Sequence, residues 1–221
     1  MIIVTYLFYL LTIAAIIITF NTTMLMSDLC YTIVEREQLK NNHIPYTDNE
    51  RKIMWDNVIN KTLWINVLLI QCYMEWRPKE LGLLKIKNVD LKNWKTKAGT
   101  DRTVPIHPRI RPLVIKWYDK ATQLNSEYLF NCTDTTTHRS SLKLSYDKYM
   151  HRINRLIETL KLNPDHRSHD GRNTFITMCK NAGVDEYAIK TMVGHEIYDI
   201  TEKVYTKRDP QWLHNEILKI Q

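Results

Sequence analysis

The run from His169 to Tyr205 reads HDGRNTFITMCKNAGVDEYAIKTMVGHEIYDITEKVY. Two imidazoles, a guanidinium and a phenol fall here at the ends of what read as short helices. Ser168 is a good N-cap, which places His169 and Arg172 in the first turn, three residues apart and on one face. The free amides of that turn and the positive end of the helix dipole favour an anion at the same place. Phe175, Ile176, Cys179 and Ala182 form the buried side, and Gly183 ends the helix where a left-handed residue is wanted. Asp185 caps a second short helix, Glu186 to Val193, closed by Gly194 just ahead of His195. A last short helix, expected around Ile200 to Thr206, carries Tyr205. Singly, these are a capping histidine, a surface arginine, a loop histidine and one tyrosine among 12. Together and in this order they predict a phosphate-handling site with a tyrosine nucleophile.

Such a site needs further cations, and the composition supplies them. The chain has 221 residues, 44% of them hydrophobic, enough to bury a real core. It carries +7, and residues 1 to 34 contain no Lys or Arg and only Asp28 as an acid, so all of the positive excess belongs to the remainder. Basic side chains spread through a globular part suit an anionic partner, nucleic acid before a membrane surface. Cys30, Cys72, Cys132 and Cys179 are far apart with no CxxC pair, which argues for buried free thiols rather than a zinc site. His166 and His169 are three apart but lack a third and fourth ligand nearby, so no metal and no cofactor are expected.

The first 26 residues read as an apolar leader. Met1 to Phe20 is uncharged and, at ~20 residues, long enough to cross a bilayer. No Lys or Arg flanks it closely, so a positive-inside signal is missing, as are the basic start and small-residue cleavage site of a secretory signal. Three readings stand side by side: a membrane anchor that would tether an otherwise cytoplasmic protein through residues 1–20, a leader left by truncation of a gene, and a buried helix. Residues 27–46 read as a polar linker or remnant, and a globular domain is expected over 47–221.

Along that domain, Thr47 and Glu50 have the spacing of a capping box, with a helix following to about Asn60. Leu63 to Met74 reads as a buried helix. Pro78 suits the first turn of the next helix, which leaves Arg77 projecting from its start. Ile86 to Leu91 reads as a strand paired with Arg102 to Ile106, and the basic stretch Lys92 to Thr100 as the turn between them, with Gly99 at its apex. His107-Pro108 opens a helix to about Thr122. Another runs from about Ser145 to Lys161 with Tyr149, Ile153, Leu156, Ile157 and Leu160 at helical spacing, leaving His151, Arg152 and Arg155 on other faces, where they could meet a DNA backbone. The fold class is therefore mainly α with a small antiparallel β-hairpin sheet. The amphipathic stretch Gln211 to Ile220 has two readings, docking on a neighbouring protomer and packing on its own domain.

The ordered set formed by Arg-x-x-Glu at a helix start (Arg77, Glu80), a lysine ahead of R-x-V-P-I (Lys97), H-x-x-R (His169, Arg172), G-H (Gly194, His195) and a tyrosine ten residues later (Tyr205) resembles the catalytic domain of tyrosine recombinases, in particular phage and conjugative-transposon integrases. The resemblance covers about Thr47 to the C-terminus. It implies the tyrosine recombinase catalytic-domain fold and cleavage and rejoining of duplex DNA at attachment sites, carried out by a homo-tetramer. By the same resemblance Arg77 and Arg172 bind the non-bridging phosphate oxygens, Lys97 protonates the leaving 5′ oxygen, His169 assists proton transfer, His195 hydrogen-bonds the phosphate and Tyr205 forms a 3′-phosphotyrosyl link. No cofactor is implied.

Several features depart from the family pattern. Gly171 stands where a leucine is common, and Asn173 where a histidine or lysine is common. The segment from Asp90 to Lys97 is short for the first strand and its turn, and the apolar leader occupies the place of the family's core-binding domain. A truncated integrase, a catalytically idle DNA-binding remnant and a type IB topoisomerase are the competing functional expectations.

Overall fold

The computed structural model describes residues 43–59, 63–98, 102–131, 143–195 and 210–220, all of them within the unit that begins at His43. In chain order these form α1 (Asp48–Asp56), α2 (Trp64–Tyr73), α3 (Pro78–Leu83), a 3-10 turn at Ile86–Asn88, β1 (Val89–Asp90), β2 (Lys95–Ala98), β3 (Arg102–Pro105), a second 3-10 turn at Pro108–Ile110, α4 (Arg111–Gln123), α5 (Tyr146–Leu160), α6 (Asp170–Asn181), α7 (Glu186–Val193) and α8 (Pro210–Ile217).

Helix α2 is the axis of the domain. Its sequence, WINVLLIQCY, is apolar on almost every side, and a helix of that kind has to lie inside. All ten of its residues are buried. It packs most extensively on α6 and is also touched by α1, α4 and α5. The neighbours are one-sided by comparison. Helix α5 buries Tyr149, Ile153, Leu156, Ile157 and Leu160 at the expected spacing, starts under a Ser145 cap and stops at left-handed Lys161. Helix α4 buries Leu113, Val114, Trp117 and Ala121, with Trp117 edge-on to Phe130 at 5.5 Å. The Thr47–Glu50 capping box forms at the start of α1. Leu129 joins the core by hydrogen-bonding its amide to Leu84 O at 2.8 Å. Cys72 and Cys179 are buried free thiols.

The sheet is three-stranded and antiparallel in the order β1-β2-β3. It corrects the expected pairing. The partner of β3 is Lys95–Ala98, read above as part of a turn, with Thr96 opposite Val104 and Lys97 opposite Thr103. Ile86–Asn88 is a 3-10 turn, and only Val89–Asp90 of the expected first strand pairs, on β2. The inward residue of β2 is Thr96, 1% exposed against buried Val104, so the strand's lysines face outward and its inner face lacks the apolar run that marks a half-buried strand.

Two further expectations change. The N-cap of α6 is His169 rather than Ser168. Arg152 does not present itself to a DNA backbone: it is 8% exposed and its guanidinium lies 4.2 Å from the centre of the Trp64 ring. Helix α8 packs on its own domain, against β3 and α7, with Leu213, Ile217 and Ile220 buried and His107 Nε2 3.0 Å from Ile220 O. Among the described residues no helix is long and apolar enough to cross a membrane. The apolar run 1–26, Cys30, Cys132, most of the polar loop 131–141 and the expected helix with Tyr205 lie outside the described residues.

Gly82 marks the closest approach of two elements. A Cβ on it would come 1.9 Å from the backbone oxygen of Leu144, just ahead of α5. Gly82→Ala therefore forces backbone apart and is expected to cost about 1–3 kcal/mol. Urea unfolding measures this, and an unchanged midpoint would show that the α3–α5 contact is soft.

Candidate active site

Arg77 is placed by the start of α3. Pro78 occupies the first helical position, and Arg77 sits at the N-cap in an extended conformation. The Glu80 carboxylate accepts the Arg77 amide at 3.0 Å and the Arg77 Nη1 at 3.2 Å. The side chain remains 41% exposed, and its guanidinium makes one hydrogen bond, to Glu80, among the described residues.

Arg172 is placed by burial. It lies in the first turn of α6 at 7% exposure and reaches the chain between α2 and α3, donating through Nη1 to Glu75 O at 2.6 Å and to Glu75 Oε2 at 2.7 Å. Its Nη2 donates to Val193 O at 2.7 Å, at the end of α7. A guanidinium has five N–H donors. Three are spent here, and the Nε hydrogen and one Nη2 hydrogen have no partner among the described residues.

Between these arginines runs a line of alternating charge. Arg102, on β3, donates to Glu80 Oε2 at 2.9 Å and to Glu75 Oε2 at 3.3 Å, and its Nη2 stands 3.2 Å from Glu75 Oε1. Glu75 is fully buried. Burial pushes its carboxyl up to about 8, against the pull of Arg102 and Arg172. Glu80 is held below its ordinary value: burial would raise it, and the Arg77 amide together with the Arg102 and Arg77 charges overcome that.

The two histidines stand over this line. Gly194 ends α7 at φ +66°, a left-handed turn that aims the chain into His195, whose amide donates to Lys190 O at 3.0 Å. A Cβ on Gly194 would come 2.7 Å from Arg102 Nη1, so the turn needs glycine for space as well as for conformation. The His195 imidazole is lowered, first by burial and then by Arg172 and Arg77. His169 is lowered too, by burial, then by His43, whose ring lies 5.3 Å away, and by Arg172. Both therefore favour the neutral form at pH 7, in which each imidazole can give or accept a proton.

Below His169 the start of α6 is anchored by Asp170. This buried carboxylate takes the Arg167 amide at 2.8 Å and stands 3.1 Å from His166 Nδ1 and 3.2 Å from His43 Nδ1. His166 Nε2 faces Glu50 Oε1 of α1 at 3.0 Å.

Arg77, His169, Arg172 and His195 are thus brought together. Lys97 is not joined to them: it is exposed on the face of β2 opposite Thr96, where it lines a shallow depression with Lys87, Lys92 and Lys95. Tyr205 lies outside the described residues.

A family model described as the phage integrase family matches residues 47–211. The chain belongs to the phage integrase family. Comparison with curated protein sequences returned no match. Among solved structures, the integrase-family domain is similar to the XerA recombinase, with 20% identity and a TM-score of 0.62 over 78% of this chain and 63% of that one. It is similar to the Tn1549 transposon integrase in complex with circular intermediate DNA, with 16% identity and a TM-score of 0.61 over 80% and 65%. It is also similar to the integrase from mycobacterium phage Brujita, with 15% identity and a TM-score of 0.59 over 80% and 57%. At these identities the likeness is one of fold, and the chain spans less than two thirds of the length of each of these three proteins.

Two members of the integrase-family site had no assigned role in the sequence reading. Arg102 was visible only as the first letter of R-x-V-P-I. Glu75 had one available signal, an acid directly after the apolar run 63–74 and two residues before Arg77. Glu75→Ala removes the only side-chain carboxylate on Arg172 among the described residues and leaves a buried guanidinium unpaired. The expected loss is about 3–5 kcal/mol of stability, read by chemical denaturation. A loss under about 1 kcal/mol would mean that the backbone carbonyls of Glu75 and Val193 suffice to hold Arg172.

Proposed function

We propose that this domain is the catalytic part of a site-specific recombinase that cleaves and rejoins duplex DNA through a 3′-phosphotyrosyl intermediate. The observation that carries the reading is Arg172, buried and held by three hydrogen bonds while two of its N–H groups remain for a ligand, with half-exposed Arg77 beside it. A forked donor held in this way suits two oxygens of one phosphate, a match that a lysine ammonium does not offer.

In this mechanism the Tyr205 oxygen attacks phosphorus as the bond to the 5′ oxygen breaks. Arg77 and Arg172 carry the charge that builds on the non-bridging oxygens, and His195 adds a hydrogen bond. Neutral His169 takes the phenol proton and returns it when the strand is rejoined. Lys97 protonates the departing 5′ oxygen, and DNA laid across the outward face of β2 brings that oxygen towards it, with Lys87, Lys92 and Lys95 on the neighbouring backbone. The tyrosyl ester keeps the energy of the broken bond, so rejoining needs no external energy source. Exchange between two duplexes uses one nucleophile per strand, so a homo-tetramer on DNA is the working assembly.

A nicked suicide duplex that traps the covalent adduct tests this directly. Tyr205→Phe is expected to bind DNA and form no adduct, whereas Arg77→Ala slows adduct formation by about 100- to 1,000-fold. An adduct that persists on denaturing gels in the Tyr205→Phe variant would remove Tyr205 as nucleophile, and no adduct with the unaltered chain would leave a DNA-binding remnant. Relaxation of supercoils without two-site exchange would point to a topoisomerase.

Cleavage should also depend on pH in a defined direction. A lowered imidazole value means that His169 takes up its inhibiting proton only below the ordinary histidine value of ~6.5. The single-turnover rate is therefore expected to stay level from neutral pH to that point and fall below it. His169→Gln should be slow throughout and lose the acid limb, and an unchanged limb in that variant would assign it to another group.

A further inference from the structure

We propose that Gln71 is a positioning residue that ties the Arg77 and Arg172 segments to each other, and that Gly171 is the space reserved for it. This deepens the recombinase reading and rests on it for its kinetic consequence.

Gln71 is 0% exposed in the last turn of the apolar helix α2, where a polar side chain is tolerated only if its hydrogen bonds are met. They are met at every amide atom. Nε2 donates to Trp76 O at 3.1 Å and to Ser168 O at 2.9 Å, and Oε1 accepts from the Tyr149 hydroxyl at 2.6 Å. The two carbonyls demand donors, so the amide has one workable orientation. The atoms it joins are informative. Trp76 is the residue before Arg77, and Ser168 is the residue before His169. One side chain thus bridges the peptide ahead of the first arginine and the peptide ahead of the histidine–arginine turn, while Tyr149 of α5 fixes it from behind.

Gly171 is the counterpart. A Cβ there would stand 2.5 Å from Gln71 Oε1, 2.9 Å from Cδ and 3.0 Å from Cγ, the first two closer than a real Cβ ever approaches another heavy atom. Any side chain at 171 therefore evicts the amide. This explains why a residue inside α6 that has no need of a left-handed conformation is glycine, where the family pattern commonly has leucine. The pair is a matched set: the glutamine occupies the volume that a larger residue at 171 would fill, and it adds three hydrogen bonds that apolar packing lacks.

The kinetic consequence follows from the sensitivity of phosphoryl chemistry to placement, where a shift of 1 Å costs about 100-fold. Gln71→Met keeps length and volume and deletes both donors. On the nicked suicide duplex it is expected to lower the single-turnover rate constant of adduct formation by about 10- to 100-fold, with the fraction of chains that react and the DNA dissociation constant unchanged. A merely structural role would reduce the reacting fraction and leave the rate constant of the folded chains alone, and that result overturns the proposal.

A second readout does not need activity. Hydrogen exchange of Gln71→Met should speed up together at residues 76–80 and 168–172 while the slowest core amides of α2 stay protected. Acceleration at one segment only, or at neither, overturns the bridge. If the unaltered chain forms no adduct but shows this coupled exchange in the variant, the recombinase reading fails and the bridge stands. Where Gly171→Ala and Gln71→Ala each lower the melting temperature, their combination is expected to lower it by less than the two losses added together. Strict additivity would show that the two positions are independent.

Discussion

Burial of Arg172 against Glu75 is the constraint from which the site follows. Removing a guanidinium from water is costly, and here it is offset by the Glu75 carboxyl group and two backbone carbonyls within 2.7 Å. Those three acceptors belong to the segment after α2 and to the end of α7, while Arg172 itself belongs to α6. One side chain therefore fixes the relative placement of three elements far apart in sequence. The pattern then extends outward through Arg102 and Glu80 to Arg77, with side-chain exposure rising from 9% at Arg172 to 41% at Arg77. Three guanidiniums against two carboxyl groups leave at least one net positive charge, with donors open on buried Arg172 as well as on exposed Arg77. The result is a site held rigid from its buried end, with donors still open at both ends.

The same surroundings set the state of the imidazoles. Burial and nearby arginines act in one direction on His169 and His195, so the guanidiniums of the site also keep the histidines uncharged. Held neutral, these histidines can exchange protons without adding to the repulsion among the cations.

What was legible in the sequence was what is encoded locally. The Thr47–Glu50 box, the Asp185 cap and the left-handed Gly194 all act within a few residues, and each lies where its residues place it. Arg77, His169, Arg172 and His195, singled out in the sequence by helix ends and by the family resemblance, lie close enough to share one electrostatic environment. The sheet was misread because β2 is Lys-Thr-Lys-Ala, whose inward face has meaning only opposite Val104. Arg152 was misread because its partner is a tryptophan 88 positions away, on a different helix. Gln71 and Glu75 are polar groups at or beside an apolar run, and what they hold is settled by the tertiary structure alone.

The short stretch before α1 has a mechanical meaning. The Tyr46 amide donates to Thr174 Oγ1 at 2.8 Å, Asn173 Nδ2 donates to His43 O at 2.6 Å, and His43 Nδ1 faces Asp170 at 3.2 Å. Residues 43–46 are thus stitched directly to the first turn of the helix that carries Arg172. A displacement of the chain at His43 therefore bears directly on that turn, which makes this stretch a short lever on Arg172.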